Sequence, residues 1–340
     1  MSRKCVERPR PAPAAVTSPP RPSIGLALGG GGARGLAHIV MLEAFDELGI
    51  RPKVISGTSI GAIMGAAYAS GMSGAQMRAH TKYILSQRFA VMRDFFAARP
   101  LQKIRELFPG TSALLDPSAV LDVIMPKQTK PDFESLDIPL KIVASDYYNQ
   151  EQQVFTQGPL GVAVAASMAL PAIFQPVLVG GKAMVDGGLT NPLPYDLLEG
   201  EADIIVAIDV SGAPVPDPRR PYPTAMESLF ASAFLFERTI VREKLKNGQP
   251  DILISAGTQR FQLLDILKVD DILATAEPAK ERLKAKLERV LSVETLAQIP
   301  SPAGEPTPAS EAQREPRAVR AKPRRGLLSR RKSRKRRPDA

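Results

Sequence analysis

A serine flanked by glycine two positions away on each side, where a strand-like run meets a helix-like run, constrains this chain more than any other feature. Residues 53–71 read Lys-Val-Ile-Ser-Gly-Thr-Ser-Ile-Gly-Ala-Ile-Met-Gly-Ala-Ala-Tyr-Ala-Ser-Gly and put Ser59 at the centre of a G-x-S-x-G pentapeptide. A sharp strand-to-helix turn has no room for side chains on either side of its apex. Gly57 and Gly61 supply that room, and the turn pushes the Ser59 hydroxyl outward. Val54 and Ile55 ahead are β-branched and apolar, and Ile60 to Ala69 behind are mostly small and helix-compatible. Ser59 is therefore the leading candidate for a catalytic residue; the alternative is a buried turn without chemistry.

The surrounding pattern predicts an α/β fold. Ile24–Leu28 reads as a short apolar strand, followed by a glycine run, a helix over Leu36–Leu48 and a second strand at Val54–Ser56. Strand, glycine turn, helix, strand, tight turn, helix is the signature of a mainly parallel central sheet flanked by crossover helices. Further strands are predicted at Leu140–Ser145, Gln153–Thr156, Ala183–Val185, Ile204–Ile208 and Asp251–Ser255. Helices are predicted at Val162–Met168, Ala225–Lys246 and Glu277–Leu291, the last a charged surface helix with Pro278 in its first turn. Residues 72–131 are rich in Arg, Phe and Met with few strand signals, and read as a helical cap or insertion within a domain spanning 23–298.

Composition removes several function classes. The single cysteine, Cys5, excludes an intrachain disulfide framework, and two histidines, His38 and His80, leave no basis for a metal centre. No metal or other cofactor is expected. The net charge of +10 belongs to the ends. Residues 317–337 hold twelve Lys/Arg and no acid, and residues 1–22 carry a net +4. With Asp339 counted, the segment 23–316 is left at −5, which argues against a specific nucleic-acid face on the domain.

The Pro/Arg-rich arm 1–22 and the Pro- and then Arg/Lys-rich tail 299–340 are expected to be disordered. The tail fits peripheral contact with an anionic membrane, non-specific nucleic-acid binding or plain solvation. No secretory signal is apparent. The uncharged stretches Val54–Met77 and Gly158–Gly181 hold too much Gly, Ser and Pro for lipid-facing helices, so no transmembrane span is expected. The expected location is the cytoplasm, with the tail as a route to the inner face of the membrane; the oligomeric state is left open.

The run Gly29 to His38 satisfies G-x-G-x-x-G at Gly30, Gly32 and Gly35, after a strand and before a helix. A dinucleotide-binding turn has that context but also needs an acid at the end of the next strand, and this strand ends Val-Ile-Ser-Gly-Thr-Ser. The other reading is an oxyanion hole. Backbone N–H groups of Gly30, Gly31, Gly32 and Gly35 at a helix N-terminus form an anion-binding concavity, with Arg34 steadying the loop and adding positive potential. The serine elbow on the next strand favours it.

The base is sought among carboxylates. An α/β-hydrolase triad runs Ser, acid, His, and no histidine follows His80. Asp186 ends an apolar strand in Ala-Met-Val-Asp-Gly-Gly, where Gly187 and Gly188 allow a sharp turn at the sheet's C-terminal edge. Partial shielding from water would raise its pKa and make it a better base. The alternative is a turn-initiating aspartate.

The glycine loop Gly30–Gly35, the elbow Gly57-Thr58-Ser59-Ile60-Gly61, the segment Ala166-Ser-Met-Ala-Leu-Pro171 and Asp186-Gly187-Gly188 together resemble, in order and context, the patatin-like phospholipases, above all their small bacterial members. The resemblance covers about residues 23–260. It implies a three-layer sandwich and a lipid acyl hydrolase of phospholipase A or lysophospholipase type. It further implies a Ser59–Asp186 dyad, the glycine loop as oxyanion hole, an acyl-enzyme intermediate, and a phospholipid or other acyl-ester lipid as substrate. Met, Phe and Leu residues of 84–125 and 225–240 offer a lining for an acyl channel. A nucleotide-binding oxidoreductase and a catalytically silent scaffold of the same fold remain the alternatives.

Overall fold

Alternation along the strands divides the chain into three layers. The computed structural model describes residues 22–97, 114–213 and 221–297. The arm up to residue 21, part of the predicted insertion (98–113) and the tail 299–340 lie outside the described residues, and so do the expectations of disorder made for them. In chain order the strands are β1 (Ile24–Leu28), β2 (Val54–Thr58), β3 (Leu140–Asp146), β4 (Glu151–Phe155), β5 (Val177–Val179), β6 (Lys182–Asp186), β7 (Ile204–Asp209) and β8 (Ile252–Ser255). The helices are α1 (Ala37–Glu47), α2 (Ile60–Ala69), α3 (Gly74–Ala97), α4 (Pro117–Ile124), α5 (Leu160–Ser167), α6 (Ala225–Asn247) and α7 (Val269–Ala297).

The sheet runs β5-β6-β3-β2-β1-β7-β8, with β4 also paired to β3. The five strands from β3 to β8 along this order are parallel; β4, β5 and β6 pair antiparallel. Leu26, Leu28, Ile55, Val206 and Ile208 point to a face covered by α1, α2, α5 and α7. Ala27, Val54 and Ala207, one residue out of phase, point to the other face, where Leu193, Tyr195, Leu198 and Val241 of α6 cover them. Each large apolar side chain buried this way stabilises the fold by roughly 1.5–3 kcal/mol. The sheet is thus a middle layer between two coverings, as the resemblance implies.

One edge of β3 carries two strands. β2 pairs along it as far as Thr58 opposite Val143, and β6 arrives from the other direction with Asp186 opposite Ala144. β4 occupies the opposite edge, pairing Ile142–Asp146 with Phe155–Glu151. The C-terminal ends of β2 and β6 therefore meet at neighbouring positions of one backbone. Their turns are close-packed there. A Cβ on Gly61 would stand 2.1 Å from the Leu28 carbonyl oxygen, and one on Gly187 would stand 2.2 Å from that of Val143.

The predicted strands and helices are present, with ends shifted by a few residues, and two features differ. β5, three residues between Pro176 and a Gly-Gly turn, was not foreseen; it is too short for a period to show. The last helix starts at Val269, so Pro278 lies inside it and not in its first turn. Asp270 and Asp271 favour the earlier N-terminus. Ile272, Leu273, Ala276, Ala279, Leu283 and Leu287 form a buried stripe, and their packing outweighs the roughly 3 kcal/mol cost of an internal proline. The helix is half core, not a surface element.

The meeting of β2 and β6 predicts that Gly187→Ala forces the turn away from Val143. Urea denaturation should show a loss of about 1–3 kcal/mol from the overpacking, and unchanged stability would contradict the close approach.

Candidate active site

Ser59 sits at the apex between β2 and α2 with φ 55° and ψ −121°, a conformation that L-residues adopt at a cost. Such strain persists only where neighbours over-determine the backbone. Here the Ser59 N–H donates to Ser167 Oγ at 2.8 Å, and a Cβ on Gly57 would meet the Gly61 carbonyl oxygen at 2.6 Å. The Ser59 hydroxyl donates to Asp186 Oδ2 at 2.7 Å.

Asp186 is 4% exposed. Its Oδ1 accepts from the Gly188 N–H at 2.7 Å, and its own N–H donates to the Ala169 carbonyl at 3.0 Å. The segment Ser167–Ala169 at the C-terminal end of α5 thus fastens both members of the pair, a role the motif Ala166–Pro171 carried in the sequence without disclosing its contacts. Ser145 Oγ donates to the Asp186 carbonyl at 2.8 Å. Burial pushes the Asp186 carboxyl up to about 6, and the Gly188 and Ser59 bonds only partly offset it.

The glycine loop lies beside this pair. Gly30, Gly31 and Gly32 line the same cavity as Ser59 and Asp186. The Gly30 N–H is already committed to the Pro192 carbonyl at 2.9 Å. The N–H groups of Gly31 and Gly32 have no hydrogen-bond partner among the described residues. Gly35 packs away from the cavity against Ile60. Arg34 stands behind the loop, 2% exposed, with Nε donating to the Gly31 carbonyl at 3.0 Å and its guanidinium 4.6 Å from the Phe234 ring centre. It steadies the loop but does not line the cavity.

His38, fully buried on α1, donates from Nε2 to the Gly29 carbonyl at 2.8 Å and so fixes the start of the loop. Burial holds its pKa at about 4, so the ring is neutral. His80 bonds the Ile124 carbonyl at 2.9 Å, tying α3 to α4.

The cavity holds about 240 Å³ and is walled by apolar side chains. Ile63 and Met64 of α2, Ile84 and Leu85 of α3, and Val120 and Ile124 of α4 line one part, and Phe234 of α6 another. Glu237, which the sequence did not single out, lies on the same wall at 5% exposure. Its inward position was hidden in a helix whose neighbouring charges, Arg238, Arg242 and Glu243, face solvent. Among the described residues no cluster of His, Cys, Asp and Glu could hold a metal ion.

Fold and site together define an α/β protein with a serine–carboxylate pair at the C-terminal ends of its strands, facing an apolar cavity. The family model for patatin-like phospholipase matches residues 26–198, and the chain belongs to that family. An uncharacterized NTE family protein of Mycobacterium tuberculosis is 35% identical over 208 residues, 60% of this chain and 54% of the relative. Patatin-like phospholipase domain-containing protein 7 of Rattus norvegicus is 34% identical over 191 residues, 55% of this chain and 14% of that protein. The chain therefore spans about half the length of the mycobacterial relative and a small part of the mammalian one. Among solved structures, VipD from Legionella pneumophila aligns with a TM-score of 0.41 at 16% identity, over 78% of this chain and 67% of that one.

Removing the buried His38 bond isolates its role in holding the loop. His38→Leu leaves the Gly29 carbonyl unsatisfied and should cost about 1–3 kcal/mol at pH 7 by urea denaturation. The folded pKa lies below the unfolded value of 6.5, so the wild-type contribution is present above 6.5 and lost as pH falls toward about 4. The gap between wild type and variant should narrow over that range; a gap independent of pH would contradict a neutral buried imidazole.

Proposed function

We propose that the protein hydrolyses acyl esters of lipids, with Ser59 as nucleophile and Asp186 as its base. The observation that carries this reading is the 2.7 Å hydrogen bond from the Ser59 hydroxyl to Asp186 Oδ2 on the wall of an apolar cavity. Ser59 Oγ attacks the ester carbonyl carbon while Asp186 takes its proton. The carbonyl oxygen becomes an oxyanion, to which the Gly31 and Gly32 N–H groups donate. Collapse breaks the bond to the alcohol, and Asp186 returns the proton to that leaving group. Water then attacks the acyl-enzyme, giving a proton to Asp186, and the fatty acid departs as Ser59 recovers its hydrogen.

The surroundings support each part. A carboxylate with a pKa of about 6 is ionised at neutral pH and still close enough to that pH to take a proton in the transition state. The apolar wall from α2, α3 and α4 suits an alkyl chain and excludes water, and we assign α3 and α4 of the insertion to holding the acyl group. A phospholipid or lysophospholipid substrate takes its support from the family and from the names of its relatives. The dinucleotide alternative fits less well: the loop faces an apolar cavity, and β2 ends in Thr58 and Ser59 without an acid.

Hydrolysis of a short-chain ester should therefore fall at acid pH. Asp186 must be ionised to act, so kcat/KM drops as pH falls through about 6 and is roughly tenfold below its plateau one pH unit lower. Asp186→Asn, which keeps shape but cannot take the proton, should lower the plateau by about 10²–10⁴. A variant as active as wild type would remove Asp186 from the mechanism.

A further inference from the structure

Glu237 is a second buried carboxyl beside Asp186. It is 5% exposed and makes no hydrogen bond among the described residues. Its carboxyl lies against Gly188: a Cβ there would stand 2.7 Å from Glu237 Oε1 and 3.1 Å from Asp186 Oδ1. Both oxygens thus surround the turn that orients Asp186, and Glu237 shares the cavity wall with Ser59.

Charges facing this corner come from four elements. Asp186 stands at the end of β6, and Arg34, on the turn after β1, acts on Glu237 through space. Asp209 at the end of β7 and Arg238, the next residue on α6, act on Arg34. Arg34 is thus a buried cation facing Glu237 and Asp209, and two buried carboxylates at Asp186 and Glu237 would repel each other. Asp186 receives hydrogen bonds from the Gly188 N–H and the Ser59 hydroxyl, which favour its charged form. Glu237 receives none among the described residues. The single negative charge therefore settles on Asp186.

We infer that Glu237 is a positioning residue for the Ser59–Asp186 pair: a carboxylic acid kept neutral on the cavity wall, so that Asp186 alone carries the anion and no second charge opposes the forming oxyanion. Burial, then the negative charge of Asp186, push the Glu237 carboxyl up to about 8, with Arg34 pulling the other way. The two carboxyls titrate as a coupled pair, Asp186 ionising first and Glu237 second. Above about 8 the second anion appears beside a site that must stabilise negative charge, and the reaction slows. This role rests on the hydrolase reading above.

The test uses the full chain and compares wild type with Glu237→Gln, which keeps the shape of the neutral acid. With a soluble short-chain ester, wild-type kcat/KM should rise through about 6 and fall again above about 8. Glu237→Gln should lose the alkaline fall. One pH unit above that limb the wild type should be about tenfold below its own plateau while the variant stays on its plateau. An unchanged alkaline limb in the variant would overturn the inference.

A second readout needs no turnover. The folded pKa of Glu237 lies above its unfolded value of 4.5, so the wild type loses stability as pH rises from 4.5 toward about 8. The Tm of Glu237→Gln relative to wild type should climb over that range. A Tm difference that does not change with pH would show that Glu237 is not held neutral. If the wild type cleaves no ester, the hydrolase reading fails, and the Tm comparison still decides the protonation of Glu237.

Discussion

Two strands of opposite direction share one edge of β3, and the site depends on that shared edge. β2 ends opposite Val143 and β6 ends opposite Ala144, so Ser59 and Asp186 emerge side by side from backbone pairing. Their separation is then set by a ladder of main-chain hydrogen bonds and not by the reach of flexible side chains. A site on rigid elements holds its geometry before any substrate arrives, which lowers the cost of orienting it. The segment Ser167–Ala169 adds a second fixing point by bonding the main chain of both residues. The strained backbone of Ser59 persists because these contacts leave it no alternative.

Burial then does the chemical tuning. The same packing that places Asp186 also removes it from water and moves its pKa toward neutrality. Low dielectric strengthens every charge in the corner, so balance matters. Arg34 behind the loop faces Glu237 and Asp209, while His38 and Glu237 are held in their neutral forms. Arg34 and His38 each also hold a carbonyl of the glycine run, at Gly31 and Gly29. Loop shape and site electrostatics are therefore properties of the same residues.

Much of this was legible in the sequence because its signals are local. The elbow, the glycine run and Asp-Gly-Gly mark turns whose neighbours must be small, and β1 and β7 show as apolar runs typical of buried parallel strands. What stayed hidden depends on distant contacts. Nothing local marks the Gly30 N–H as taken by Pro192, or Ser167 as the partner of Ser59. Glu237 looks like any charge on an amphipathic helix, since only tertiary packing turns it inward. The N-terminal part of α7 was missed because Pro278 reads as a helix start, and the buried stripe of Ile272, Leu273 and Ala276 overrides that signal.

The central claim is that Ser59 becomes covalently acylated through a proton transfer to Asp186. Treatment with a fluorophosphonate, followed by intact mass measurement and peptide mapping, tests it most directly. The account predicts one adduct, on the peptide containing Ser59, forming far more slowly in Asp186→Asn. No adduct, or an adduct on another residue, would contradict it.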